Sequence, residues 1–240
     1  MRNLSLTILI LLLLGLPCAF AQKVVNAPLA DGFDFPVGKP NGDKYYKARG
    51  FRPNGHLGED WNGMGGGNTD LGDPVYSIGT GVVVFARDVR MGWGNVVIIR
   101  HAYLEKGKPH FIDALYGHLD RIVAKEGTVV QRGQLIGTIG TNRGMYTAHL
   151  HFEIRKNLQI GINRSAFSRG FENYFDPTKF ITPRRRLPKG GSRVAMPVNT
   201  FNHGKNYAPP SQGTAPSRST RSRSSRSNSF KVDRYKDLRR

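Results

Sequence analysis

The stretch Ala148-His149-Leu150-His151-Phe152-Glu153-Ile154-Arg155 decides how the chain folds. Leu, Phe and Ile alternate with polar residues, which is the period of a β-strand. Parity places His149, His151, Glu153 and Arg155 on one face. Leu150, Phe152 and Ile154 fall on the other, which suits a core. Two imidazoles side by side on one face are what a metal site or a proton-transfer site needs. A strand carrying two half-exposed histidines shows the same pattern, so the rest of the chain has to decide between these readings.

Two further segments bear on that choice. His56-Leu57-Gly58-Glu59-Asp60 supplies an imidazole and, four residues on, a carboxylate, with Gly58 permitting a tight backbone path between them. Tyr116-Gly117-His118-Leu119 adds a histidine at a glycine-marked point. Zinc catalytic sites typically take three protein ligands and leave a fourth position for water. Three distant segments that together offer four histidines and an aspartate fill such a site with residues to spare. Parity by itself leaves open which of His149 and His151 is a ligand.

The ordered set HLGED, YGHL and HLHFEIR resembles the lysostaphin/LytM family of zinc peptidases, which are peptidoglycan endopeptidases; the likeness covers roughly residues 50–181. The resemblance implies that His56, Asp60 and His151 bind one Zn2+ per chain. It also implies that His118 and His149 act on the water and the transition state, so that a metal-activated water hydrolyses the peptide cross-links of peptidoglycan. It implies a mainly β fold, a compact antiparallel sheet core with lipoyl-like duplicated β units. Glu153, on the histidine face, is read either as a hydrogen-bond partner of a ligand histidine or as half of a surface ion pair. The alternative function is a catalytically silent family member that binds the cell wall and regulates an amidase. Such relatives usually lack motif residues, and this chain keeps all five.

The remaining pattern agrees with a β-rich protein. Glycine-punctuated apolar runs at 74–84 and 127–140 echo each other, 95–101 reads as a buried strand, and 105–108 as a hairpin tip. No segment shows a long helical period, so few helices are expected. The glycine-rich stretch 61–70 reads as a mobile loop at the rim of the site, with Trp61 and Met64 as candidate substrate contacts. The polar loop 141–147 adds Asn142 and Thr147 as substrate-binding candidates. Arg52 reads as a surface residue, His101 and His110 as structural, and Pro177 as the stop that closes the domain.

The two ends differ from the middle. Arg2, the apolar run at 4–16 and Ala19-Phe20-Ala21 have the form of a signal peptide over residues 1–21, with the mature chain starting at Gln22. Export to the periplasm or the extracellular space follows. The single cysteine, Cys18, lies inside that segment with Pro17 before it, so lipidation is not expected, and no thiolate serves the mature protein as ligand or nucleophile. Residues 22–48 read as an irregular lead-in, 49–182 as the zinc metallopeptidase domain, and 183–240 as a disordered tail rich in Ser, Arg and Pro. Residues 184–240 hold fifteen Lys and Arg against two Asp, so +13 of the formal +19 sits there. That tail lacks aromatic interleaving and any folded reading module, which excludes specific nucleic-acid recognition. Its expected partner is an anionic envelope polymer or membrane surface, while the site meets peptidoglycan stem and cross-link peptides. The chain is expected to be a monomer, and deleting everything after Ile181 is expected to spare hydrolysis of a small peptide.

Overall fold

A computed structural model describes residues 22–188, 193–202, 207 and 209. The expected signal peptide, Cys18 and all of the chain beyond Pro209 lie outside them. The strands are β1 (Val24–Pro28), β2 (Tyr45–Arg49), β3 (Glu59–Gly63), β4 (Pro74–Tyr76), β5 (Gly81–Asp88) and β6 (Asn95–Glu105). They continue with β7 (Lys108–Ile122), β8 (Val129–Val130), β9 (Leu135–Ile139), β10 (Leu150–Arg155), β11 (Tyr174–Phe175) and, after the short helix α1 (Pro177–Ile181), β12 (Arg193–Pro197). The fold is mainly β and its pairings are antiparallel. The large sheet runs β2-β3-β10-β7-β6-β5-β8, with β9 joined to β7 and β4, and β11 to β10. The two echoing units meet as expected of a duplicated core, because β4 pairs with β9 and β5 with β8.

The centre of this sheet is covered on both faces, and that explains its sequence. Leu150, Phe152 and Ile154 of β10 enter the main cluster with Val97 and Ile99 of β6. Val96 and Ile98 of β6 face the other way and pack with Val84, Phe85 and Leu115. A strand covered on both sides reads as an unbroken apolar run, which is how NVVIIRH reads. The β6–β7 hairpin turns at Lys106 and Gly107, with φ of 51° and 74°, the left-handed pair a two-residue turn demands. Pro177 does not stop the chain. It opens α1 behind Asp176, whose carboxylate accepts from the Lys179 backbone N–H at 3.2 Å.

Both ends are more ordered than composition suggests. The lead-in contains β1 and β2, and β1 pairs with β12 from Val24 opposite Pro197 to Pro28 opposite Arg193. The basic tail therefore begins with a strand, and Val198, Phe201 and Tyr207 beyond it pack against the second cluster. Isolated pairing of two short strands is weak. This pair holds because Ala27 and Met196 are buried against Val82 and Ala102. Arg100, fully buried on β6, grips Asp113 of β7 with two hydrogen bonds of 2.7 and 2.6 Å and donates to the Pro197 carbonyl at 2.6 Å. Removing one partner of such a pair typically costs about 3–5 kcal/mol, because a charge is left buried and alone.

Candidate metal centre

Strands β3, β10 and β7 lie side by side, and their register brings the motifs to one end of the sheet. Asp60 and Gly117 both stand opposite His151. His118 follows Gly117, and His149 precedes β10 in an isolated bridge to Gly140. His56 arrives from the turn before β3. Gly58 between them is needed for proximity rather than for a tight turn: a Cβ there would lie 2.3 Å from the Phe152 carbonyl oxygen. Only a residue without a side chain lets the HLGED segment press this closely onto β10.

Three ligand-type atoms converge. His56 Nε2 lies 3.0 Å from Asp60 Oδ1 and 3.1 Å from His151 Nδ1, and His151 Nδ1 lies 2.8 Å from Asp60 Oδ1. The outer ring nitrogens are tied elsewhere. His56 Nδ1 donates to the Gly50 carbonyl at 3.1 Å, and His151 Nε2 donates to Glu153 Oε1 at 2.9 Å. Those acceptors assign the protons, so a neutral His56 and a neutral His151 both turn lone pairs toward the Asp60 carboxylate. Three acceptors facing one another suit a shared cation. Among the described residues this is the one group of His, Cys, Asp and Glu gathered closely enough to share an ion. Two imidazoles, each with its outer nitrogen oriented by a hydrogen bond, and one carboxylate are the donor set that zinc takes.

The electrostatics reflect the same demand. Burial alone would raise the Asp60 carboxyl, but the close approach of His151 and His56 outweighs it and holds the group well below the usual carboxylate range. Burial opposes a charge on His151, yet its bonds to Asp60 and Glu153 lift it above the ordinary histidine value. Glu153 bonds the His151 ring and also pairs with arginines, in the interior rather than at the surface. It is fully buried, Oε1 accepts from His151 and from Arg164 at 2.8 Å, and Oε2 accepts from Arg155 at 2.7 Å. Burial pushes its carboxyl up, and the Arg155 charge with the His151 bond more than reverses that.

His118 and His149 stand beside this group with ring centroids 4.9 Å apart. His118 has a left-handed backbone, φ 61°, and both its backbone N–H and its Nδ1 donate to the Trp93 carbonyl, at 3.1 and 3.2 Å. His149 Nδ1 donates to the Thr147 carbonyl at 2.7 Å. Both rings therefore present Nε2 as an acceptor, and His149 Nε2 lies 3.9 Å from Asp60 Oδ1. Burial, reinforced by the imidazoles of His151 and His149, pushes His118 down to about 3.

All five motif residues line one cleft of about 1370 Å³. Thr147 lines it too. Asn142 does not; its side-chain amide donates to the Met91 carbonyl at 2.7 Å and ties the loop at 141–147 to the loop carrying Trp93. Trp61 is a core residue, 5% exposed, set against Phe35 with its N–H on Glu59, and Met64 is exposed outside the cleft lining. The glycine-rich loop instead props the histidine strand, because Asn68 Oδ1 accepts from the Ala148 N–H at 2.8 Å. His101 is structural as read: it is fully buried, donates to the Thr80 carbonyl at 3.0 Å, and burial pushes it down to about 4. Among the cleft residues that escaped the sequence reading, four stand close to the motif groups. Arg49 Nη1 sits 3.5 Å from Asp60 Oδ2, and the Tyr146 ring stacks 4.7 Å from His118. The Trp93 edge meets His151 at 5.6 Å, and the Arg164 guanidinium lies 4.3 Å over Trp93. The one available signal was the bulky Trp93 between Gly92 and Gly94, where a plain turn needs no aromatic side chain.

The model of Peptidase family M23 matches residues 56–163. The chain is 38% identical over 86 residues to the peptidoglycan DD-endopeptidase ShyB of Vibrio cholerae, covering 36% of this chain and 18% of that protein. It is 36% identical over 84 residues to lipoprotein NlpD of Yersinia enterocolitica, covering 35% of this chain and 78% of that protein. It is 32% identical over 107 residues to the murein hydrolase activator NlpD of Salmonella dublin, covering 42% and 26%. The chain spans less than half the length of the first curated relatives it matches, from 18% to 41%.

Proposed function

Because the chain belongs to peptidase family M23, we propose that it is an exported zinc-dependent endopeptidase that hydrolyses peptide cross-links of peptidoglycan. The observation that carries this reading is the meeting of three acceptor atoms, His56 Nε2, Asp60 Oδ1 and His151 Nδ1, within 3.1 Å of one another. Zinc held there would supply Lewis acidity, able to polarise a peptide carbonyl and to bring the pKa of water to about 7. The chain's own residues do the rest. Glu153, held by two arginines, keeps His151 from rotating, and the Gly50 carbonyl does the same for His56. His118 Nε2 and His149 Nε2 receive the proton that water gives up as it attacks. Whichever ring takes it keeps its Nδ1–H bond, to Trp93 or to Thr147, so the imidazolium stays aimed into the cleft. From there it donates to the oxygen that gains charge or to the departing amine.

The second reading, a silent family member that regulates an amidase, draws on the murein hydrolase activator among the relatives. Against it stand the five intact motif residues and their tied ring nitrogens. Mass spectrometry of defined, cross-linked muropeptides incubated with the zinc-loaded protein separates the two. The enzyme reading expects a fragment pair whose masses sum to substrate plus one water, absent after chelation. Retention on sacculi with no fragments favours the regulator.

The proposed domain plan keeps residues 1–21 as the leader and 49–182 as the peptidase unit, clasped by β1 and β12. The tail keeps its proposed role as a tether to anionic envelope surfaces, but the place to cut moves. Truncation after Ile181 removes β12 and exposes the second cluster, so loss of activity there says nothing about tethering. Beyond Pro209 the chain still has nine Lys and Arg against two Asp. Deleting residues 210–240 is expected to leave turnover of a small soluble peptide unchanged and to weaken co-sedimentation with sacculi, most at low salt, since such attraction is screened over about 8 Å at 0.15 M. Equal, salt-insensitive retention of both proteins removes the tether.

A further inference from the structure

The family match ends at residue 163, yet the chain beyond it returns to the catalytic cleft. After β12 the backbone is fastened at successive points. Arg100, buried and bound twice to Asp113, holds the Pro197 carbonyl at 2.6 Å and the Leu158 carbonyl at 3.1 Å. The Val198 N–H bonds the Lys23 carbonyl at 2.9 Å, the Lys23 N–H bonds Asn199 Oδ1 at 2.6 Å, and the Thr200 hydroxyl bonds the Leu158 carbonyl. Phe201 lies over Gly161, where an added Cβ would come within 2.4 Å of its ring. Tyr207 meets Phe85 edge-on with centroids 5.7 Å apart. Two described side chains of this part of the chain, Asn202 and Tyr207, line the same cleft as the five motif residues.

We propose that Asn202 and Tyr207 form a substrate-binding wall outside the family domain, one that holds the peptide flanking the scissile bond. The proposal rests on the peptidase reading and deepens it. An extended peptide offers alternating N–H and C=O groups, and an asparagine amide answers both from one position. A tyrosine adds a flat apolar face ending in a hydroxyl, a large contact that loses little side-chain freedom on binding. Val198, Phe201 and Tyr207 all pack on the second cluster, and exposed Asn202 and half-buried Tyr207 also border the cleft. Fastening the wall before substrate arrives removes the ordering cost that a loose segment would meet on binding.

The test uses the full chain with Asn202→Ala, Tyr207→Ala and Tyr207→Phe. Asn202 is exposed, so its variant folds even if loss of the Tyr207 ring loosens the packing on Phe85. Two substrates are compared, a cross-linked stem-peptide dimer without sugar and the same dimer on its disaccharides. The expected result is a KM about tenfold higher for Tyr207→Ala and severalfold higher for Asn202→Ala, with kcat within about twofold and Tyr207→Phe near wild type. Anisotropy of a fluorescent, uncleavable analogue of the sugar-free dimer reads binding without turnover, and its Kd is expected to rise by the same factors. If no preparation hydrolyses either substrate but these Kd shifts appear, the peptidase reading fails and the wall stands. Unchanged KM and Kd in both alanine variants overturn the wall. So does higher kcat/KM on substitution, which makes the segment an obstruction, or a loss confined to the disaccharide-bearing dimer, which assigns the contact to glycan.

Discussion

Asp60→Ala is expected to lose most of its zinc and nearly all hydrolysis. Asp60 contributes the only anionic atom of the three that converge, and Oδ1 lies within 3.0 Å of both imidazole nitrogens. Without it two neutral imidazoles remain for a divalent ion, one ligand short of the usual three. Glu153 is no substitute, because its two oxygens are committed to His151, Arg155 and Arg164 on the far side of the His151 ring. Metal content per chain and cleavage of a muropeptide are to be measured on one preparation, alongside thermal unfolding. Asp60 is buried beside His151, so a fold defect has to be separated from a ligand defect. Stoichiometric zinc with full activity in a folded Asp60→Ala protein would show that the ligand set is misassigned.

His118→Ala and His149→Ala are expected to do the reverse. Zinc stays near stoichiometric, and turnover falls about 10²–10⁴-fold, the usual scale for a positioned acid or base. Neither ring shares the close triangle of His56, Asp60 and His151, and each has its Nδ1 fixed on a carbonyl that needs no metal to hold it. His118→Ala also releases the Trp93 carbonyl from a ring N–H, so its effect on stability is expected to exceed that of the less buried His149. Metal content and kcat on the same samples decide the matter. A variant whose zinc and activity fall together is a ligand, and the roles within the five residues must then be exchanged.

How much of this was legible beforehand follows from which properties are local. The alternation of β10, the paired glycine-marked units and the scarcity of helix all came from the period of apolar residues, and period survives in one dimension. The five motif residues were legible for the same reason, because each stands at a turn or on a strand whose local pattern is plain. Pro177 was misread because the same residue ends one element and opens another, and only the Asp176 cap tells which. The order within the tail was missed because β12 is held by partners far away in sequence, Ala27, Val82 and Ala102, and by a buried Arg100. Composition reports what a segment can bury by itself and says nothing of what will cover it.

The fold class and the identity of the residues that gather depend on alternation and on spacing within short segments, which a linear chain displays. How those residues face one another depends on contacts between segments distant in the chain. The register of β3, β7 and β10 sets Asp60 and Gly117 opposite His151. Carbonyls of Gly50, Trp93 and Thr147, together with the Glu153 carboxylate, then choose the nitrogen that each histidine turns inward. Those acceptors come from other turns and strands, and a backbone oxygen carries no trace of its role in the residue to which it belongs. The same holds for Asn202 and Tyr207, which reach the cleft because the chain is folded back over the sheet, a path that no periodicity records.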